Sequence, residues 1–294
     1  MNAQLFFQDT NQTGEGATWL PELSLFLWVD IEGQTLKWYH TFTKTVGSHT
    51  FDAMVSSIVP FDKESVLLFL QNRIIVFHLL TREERLFLPL SFAECGKRPN
   101  DVKASPDGRL FMGVMHLSDY AENGALYRID GDLSIHQVLE RQSIPNGIVW
   151  DTNKGVMYYV DSFRKCIERY AYDPLTGAMD FRGVAVEVPD GIGVPDGMTI
   201  DRDGNLWVAH WGGFGVYVWN PDKGDLLDKI EVPVPNVASC TFDDQGGLYI
   251  TTARAGLSEA DLERYPLSGS VFYAKTSAQA AQNHYSFKQE RGSV

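Results

Sequence analysis

Cysteine is scarce: Cys95, Cys166 and Cys240 are the only three in 294 residues. Their odd number and wide spacing exclude a full disulfide framework and a CxxC metal site, leaving buried free thiols in a reducing compartment as the expectation. Basic residues are also few. Twenty-five Lys and Arg stand against 38 Asp and Glu, a formal charge of −13, and no run of five basic residues occurs. Such a chain is not suited to a nucleic-acid backbone. No apolar run reaches the roughly 18 residues of a membrane helix. The opening MNAQLFFQDTNQTGEG has no basic start, and its apolar stretch is only Leu5–Phe7, against the roughly 7–15 residues of a signal peptide. The expectation is a cytoplasmic protein that does not enter a membrane, as a monomer or weak homo-oligomer. GxSxG, HExxH and Walker motifs are missing too. The glycines of WGGFG (211–215) lack the Lys and Ser/Thr of a phosphate cradle and read as a tight loop.

What the chain does have is a repeat. The apolar runs LWVD, LLFL, LFMG, YYVD, LWVA and LYIT begin at Leu27, Leu67, Leu110, Tyr158, Leu206 and Leu248, with spacings of 40, 43, 48, 48 and 42. Most follow a turn signal, such as SPDG (105–108), DRDGN (201–205) or DDQGG (243–247), and a second strand-like run often comes next. Asp/Gly turns ahead of aromatic and β-branched runs read as hairpins. Several strands per unit at this period describe a propeller blade. The sequence is therefore read as all-β, a six-bladed β-propeller with four-stranded antiparallel blades and a central metal site, in a single domain covering 1–294. The segment around AQLFFQ (3–8) is expected to pair with SVFYAKT (270–276) and close the ring. LSEADLERYP is the one convincing helix, with Ser258 as N-cap, Asp261 in a capping box and Pro266 as its stop.

The central site follows from phase. Residues at the same offset in successive blades point at one axis. Glu15, Asn146 and Asn236 lie 12 residues before their blades' apolar runs, and Asn100 and Asp196 lie 10 before theirs. Four of these five, Asn100, Asn146, Asp196 and Asn236, follow a proline directly, as PN or PD, and would be loop-tip turns if met singly. Carboxylates and amides converging in a constricted channel repel or go unsatisfied, and a divalent cation relieves both conditions. An oxygen-only set suits calcium, magnesium or manganese better than a structural zinc.

TGEGATW with LFLWVDIEG, RPNDVKASPDGRLFMGVM, IPNGIVW with YYVDS, VPDGMTIDRDGNLWVAHWGG and NVASCTF with LYITTAR resemble, in order, the gluconolactonase, regucalcin (senescence marker protein) and luciferin-regenerating enzyme family. WGGFG and TTARAGLS…YPLSGSVF are most similar to bacterial sugar lactonases such as xylonolactonase. The resemblance implies metal ligation by Glu15, Asn146 and Asp196, and substrate contact by Arg98 and Asn100. Ser118, in HLSDY, stands where regucalcin-like members have a substrate-contacting glutamate, and neighbouring His116 is a candidate for a sugar hydroxyl.

The implied activity is that of a carboxylic-ester hydrolase opening a sugar-acid lactone, a xylono-, glucono- or galactonolactone or an anionic derivative, in carbohydrate catabolism. One divalent cation assists, calcium favoured over zinc, manganese, magnesium or iron(II). Asp196 is the preferred general base, with water activated by the ion alone as the other route. Arg164 and Lys165 read as a solvated turn, or as a lure for an anionic lactone if they lie at the mouth. Two other functions stay open: a non-enzymatic calcium-binding or regulatory propeller, and a paraoxonase-type propeller esterase.

Overall fold

Runs such as Leu25–Asp30 (LFLWVD) and Ser65–Leu70 (SVLLFL) form strands with every residue buried. Alternate side chains of a strand point to opposite faces, so a continuous apolar run requires cover on both. A ring of blades supplies it. In the computed structural model, which describes residues 1–281 and 284–290, six four-stranded antiparallel sheets surround a central channel.

The innermost strands of blades one to six are Gly14–Leu20, Val55–Pro60, Lys97–Ala104, Pro145–Asp151, Val194–Ile200 and Val237–Phe242. Each touches the next, and the sixth touches the first. In blades one to five the chain steps outward from strand to strand. Blade six takes its outermost strand from Gln4–Phe7, which pairs antiparallel with Val271–Lys275. The expected ring closure is present.

Six apolar clusters sit between neighbouring blades. Leu25, Leu27 and Val29 pack against blade two, while Phe26 and Trp28, on the other face of the same strand, pack against blade six. The corresponding clusters join blades two to three, three to four, four to five and five to six. Outer strands are polar where they meet water: Thr45–Thr50 (TVGSHT) has no buried residue.

The helix Glu259–Arg264 is a short insertion in blade six with both halves of the Ser258–Asp261 capping box formed. No helix among the described residues is long and apolar enough to cross a membrane. All three cysteines are free, but only Cys240 is buried; Cys95 is exposed and Cys166 half-buried. The expectation of three buried thiols is corrected here. Cys95 closes the surface turn Phe92–Cys95, and Cys166 opens the third strand of its blade rather than its core.

After the last strand the chain crosses the lower end of the ring. Ala281 N–H donates to Ile200, Phe287 N–H to Pro60, Lys288 N–H to Gly108 and Glu290 N–H to Gly131. His284 lies under the channel, where its Nε2 is 3.2 Å from Thr241 Oγ1 and 3.4 Å from Trp19 N. A cavity of about 50 Å³ remains above it, lined in part by Lys103, Thr199 and Cys240.

Blade one meets blade six through stacked rings, Phe26 lying 4.3 Å from Tyr249 and 5.1 Å from Trp28. Phe26→Ala should lower unfolding free energy by about 3–5 kcal/mol, the usual loss for a buried phenylalanine. Phe42→Ala, at an 86% exposed position, should change it by less than about 0.5 kcal/mol. Urea unfolding of both variants checks the difference.

Candidate functional site

Every inner strand carries one extra residue near its upper end. The registers shift between Glu15 and Thr18, Val55 and Ser57, Pro99 and Val102, Pro145 and Ile148, Pro195 and Met198, and Val237 and Ser239. Each shift sets one more residue on the inner strand than on its partner, which is a β-bulge, and a bulge turns a side chain out of the regular alternation. Asn100, Asn146 and Asp196 lie inside theirs; Glu15 stands at the edge of its own. Proline just before three bulges is tolerated because the ladder is already broken there.

Glycine follows Asn146 and Asp196 for steric reasons, whereas Gly16, after Glu15, has a left-handed φ of +63°. A Cβ on Gly147 would lie 2.7 Å from the Asp196 carbonyl, and one on Gly197 would lie 2.8 Å from that of Ala238. Neighbouring inner strands approach this closely only without side chains between them.

The approach to each bulge is tied to the upper end of the second strand. Asp30 Oδ1 accepts from the N–H groups of Gln12 and Thr13, and Asp161 accepts from those of Ser143 and Ile144. In blade five the equivalent residue is His210, whose Nδ1 is 2.9 Å from the Ile192 carbonyl. The final residues of LWVD, YYVD and LWVAH therefore hold the segments that present Glu15, Asn146 and Asp196.

The structure brings Arg98, Asn100 and Asn146 into one hydrogen-bonded chain. Arg98 Nη1 donates to Asn100 Oδ1 at 2.6 Å and to the Pro99 carbonyl at 2.9 Å. Asn100 Nδ2 donates to Asn146 Oδ1 and to the Pro145 carbonyl, both at 2.8 Å. Asn146 Nδ2 donates to Ser162 Oγ at 2.8 Å, and that hydroxyl donates to the Pro195 carbonyl at 2.7 Å. The chain spans blades three, four and five and ends beside Asp196.

The carboxylates press on one another. Burial pushes the Glu15 carboxyl up to about 8, with Asp101 adding to the effect and the Gly16 N–H and Arg98 opposing it. Burial, then Glu15 and Asp101, raises Asp196 well above the usual carboxylate range. Burial lowers Arg98. Glu15 is only half-buried by exposed area although protein surrounds its carboxyl, as befits a residue lining a channel. Two close acids and an amide oxygen, with no thiol or imidazole among them, fit a hard cation, whose charge would remove the repulsion.

Two residues of this site escaped the sequence reading. Asp101 shares a bulge with Asn100 and is itself raised by burial, with the Lys103 charge and the Val102 N–H opposing the rise. Phase counting gives one residue in each of five blades and passes over the neighbour of Asn100. Among the described residues no three His, Cys, Asp or Glu side chains form a ligand-like group, so Asp101 stands near the acids without completing such a set. Ser162 was visible only as the end of YYVDS.

Asn236, in phase by counting, precedes its strand rather than entering the bulge, and its Nδ2 donates to the Ala255 carbonyl. His116 Nδ1 accepts from the N–H groups of Ser118 and Asp119, bracing that loop, and Ser118 is exposed on it. Arg164 and Lys165 do lie on the rim, but Arg164 pairs with Glu168 at 3.0 Å and Lys165 with Asp190 at 2.7 Å. The wider open grooves lie at the opposite end, along 19–23 and along 151–154 with 201–204, and contain none of the converging residues.

Residues 13–254 match the family described as the SMP-30/Gluconolactonase/LRE-like region. The chain is 35% identical over 244 residues to the pentonolactonase XacC of Haloferax volcanii, covering 82% of this chain and 81% of that one. It is 30% identical over 269 residues to regucalcin of Homo sapiens, covering 88% and 89%. The fold matches that of a calcium-binding protein, regucalcin, from Agrobacterium tumefaciens with a TM-score of 0.88 at 22% identity, covering 97% and 98% of the two chains.

His210 is fully buried, stacks on Tyr217 at 4.1 Å and has no partner at Nε2 among the described residues. Burial lowers its pKa to about 4, from an ordinary 6.5. Between these values the unfolded chain binds the extra proton and the folded one does not, so stability is lost as pH falls from 6.5 towards 4. The loss should approach about 3 kcal/mol. Urea unfolding across this range should show a steeper decline for wild type than for His210→Gln; equal slopes would contradict the assignment.

Proposed function

We propose that this chain, which belongs to the SMP-30/gluconolactonase/LRE-like family, hydrolyses a sugar lactone at the bulged end of its channel with one divalent cation, calcium first. The observation that carries this reading is the convergence of Glu15, Asn146 and Asp196 beside the Arg98–Asn100 pair. Glu15, Asn146 and Asp196 would hold the cation, which supplies Lewis-acid polarisation of a lactone carbonyl.

The protein's own groups do the rest. Arg98 has donors beyond Nη1 to offer a sugar oxygen, and its charge opposes the rise in Asp196. Both N–H groups of Asn100 are engaged within the protein, so Asn100 meets a substrate hydroxyl through the remaining lone pair of Oδ1. Asp196, once ionised, accepts the proton of the attacking water. Tyr120 and Phe163, exposed on the same rim with ring centres 6.0 Å apart, offer an apolar face to a sugar ring. Ser118 stands on the His116-braced loop as a further donor to an outer hydroxyl. The relative named a pentonolactonase supports testing five-carbon lactones first.

Proton release from a panel of pentono- and hexonolactones, with and without chelator, tests the reaction. Turnover should appear with at least one lactone, vanish on chelation and return with a divalent cation. Full turnover in protein shown to be metal-free by elemental analysis would end the cation-dependent reading, and no turnover on any lactone would favour a binding protein.

At saturating cation, Asp196→Asn should retain the ion but lose about 10²-fold or more in kcat, the scale of a missing general base. A kcat within a few-fold of wild type would leave Asp196 as a ligand only. Arg98→Ala should act mainly on KM if its contacts are equal in ground and transition states.

A further inference from the structure

Ser162 opens the short turn Ser162–Arg164 in blade four and is almost fully buried. Its hydroxyl receives the Asn146 Nδ2 proton and sends its own to the Pro195 carbonyl. We infer that Ser162 is a positioning residue that fixes which end of the Asn146 amide faces a cation. The inference rests on the reading that Glu15, Asn146 and Asp196 hold that ion.

The polarity of the amide decides which end can meet a cation. An amide has an oxygen that binds cations and a nitrogen that repels them, and the two ends are nearly equal in size. Both ends of the Arg98–Asn100–Asn146–Ser162–Pro195 chain are fixed. A guanidinium only donates, so Asn100 turns its oxygen to Arg98 and its N–H groups onward. A proline carbonyl only accepts, so the Ser162 proton is drawn to Pro195 and its lone pair left for Asn146.

Reversing Asn146 would set its NH2 against the NH2 of Asn100. It would also set its oxygen against a hydroxyl whose proton is already used. With both neighbours in place, Oδ1 of Asn146 keeps one lone pair on Asn100 and has the other free for an ion. Without Ser162, Nδ2 is buried and unpaired, a condition relieved by rotating the amide. Such rotation displaces the ligand oxygen. Pro195 immediately precedes Asp196, so the same hydroxyl ties the strand carrying one acid to the amide of the next blade.

The test uses isothermal calorimetry of the full chain, first stripped with chelator, against calcium chloride and manganese chloride. Ser162→Ala should weaken cation affinity about tenfold or more, with kcat on the best lactone recovering at saturating cation. Ser162→Thr, which keeps the hydroxyl, should bind as wild type does. Asn146→Asp supplies the specific control, because a carboxylate has no wrong end. In that background Ser162→Ala should leave affinity unchanged within about twofold, a non-additivity that general destabilisation would not produce.

Equal affinity for wild type and Ser162→Ala would overturn this inference alone. An undiminished Ser162→Ala loss in the Asn146→Asp background would overturn it too, by showing a structural effect. If wild type binds neither ion, the cation reading itself falls, and this inference with it.

Discussion

The molecule depends on a fault repeated six times. A closed circle of inner strands would ordinarily fill its axis with alternating side chains. One surplus residue at the upper end of each strand breaks the ladder there and opens the axis. The bulge costs local backbone pairing, and that loss is repaired across blades rather than within them. Ser57 Oγ donates to the Asn100 carbonyl at 2.6 Å and accepts from Val102 N–H at 3.1 Å, and Asn100 and Ser162 supply the Pro145 and Pro195 carbonyls. The polar groups that a site requires are thus the ones that make the broken ladder tolerable.

The charge arrangement has the same economy. Glu15, Asp101 and Asp196 face Arg98 and Lys103 along one channel, three negative groups against two positive. A divalent cation would turn that negative excess into a positive one. The channel would then favour the negative oxygen that develops when a lactone carbonyl is attacked, and afterwards a carboxylate product. Arg98 is central to this balance because it is buried and planar, with donors enough to orient Asn100 and still address a ligand.

The blades were legible in the sequence because a strand covered on both faces reads as an unbroken apolar run, as LFLWVD and SVLLFL do. Phase then singled out Glu15, Asn100, Asn146 and Asp196 without any structure. What phase cannot express is a contact between blades. Ser162 matters only because Pro195, from the next sheet, lies 2.7 Å away, and Asp101 only because its bulge frees two adjacent residues instead of one. Asn236 shows the converse: correct spacing, but a neighbouring loop carbonyl claims its amide. The crossing of the lower end by 277–281 and 284–290 has no periodicity to announce it, since it is held by scattered contacts: hydrogen bonds to turns and strands of several blades, and Phe287 packed on Phe87. Cys95 was misjudged because thiol burial is a tendency of the residue type and says nothing about one surface turn.

Blade six is assembled from segments far apart in the sequence, with Gln4–Phe7 lying against Val271–Lys275. During synthesis the first of these segments leaves the ribosome before its partner, and it cannot pair in this way until Val271–Lys275 has been made. Glu15 and Asp196 face one another only once the ring has closed, so a prematurely terminated chain is not a weaker version of the protein but one without the site at all.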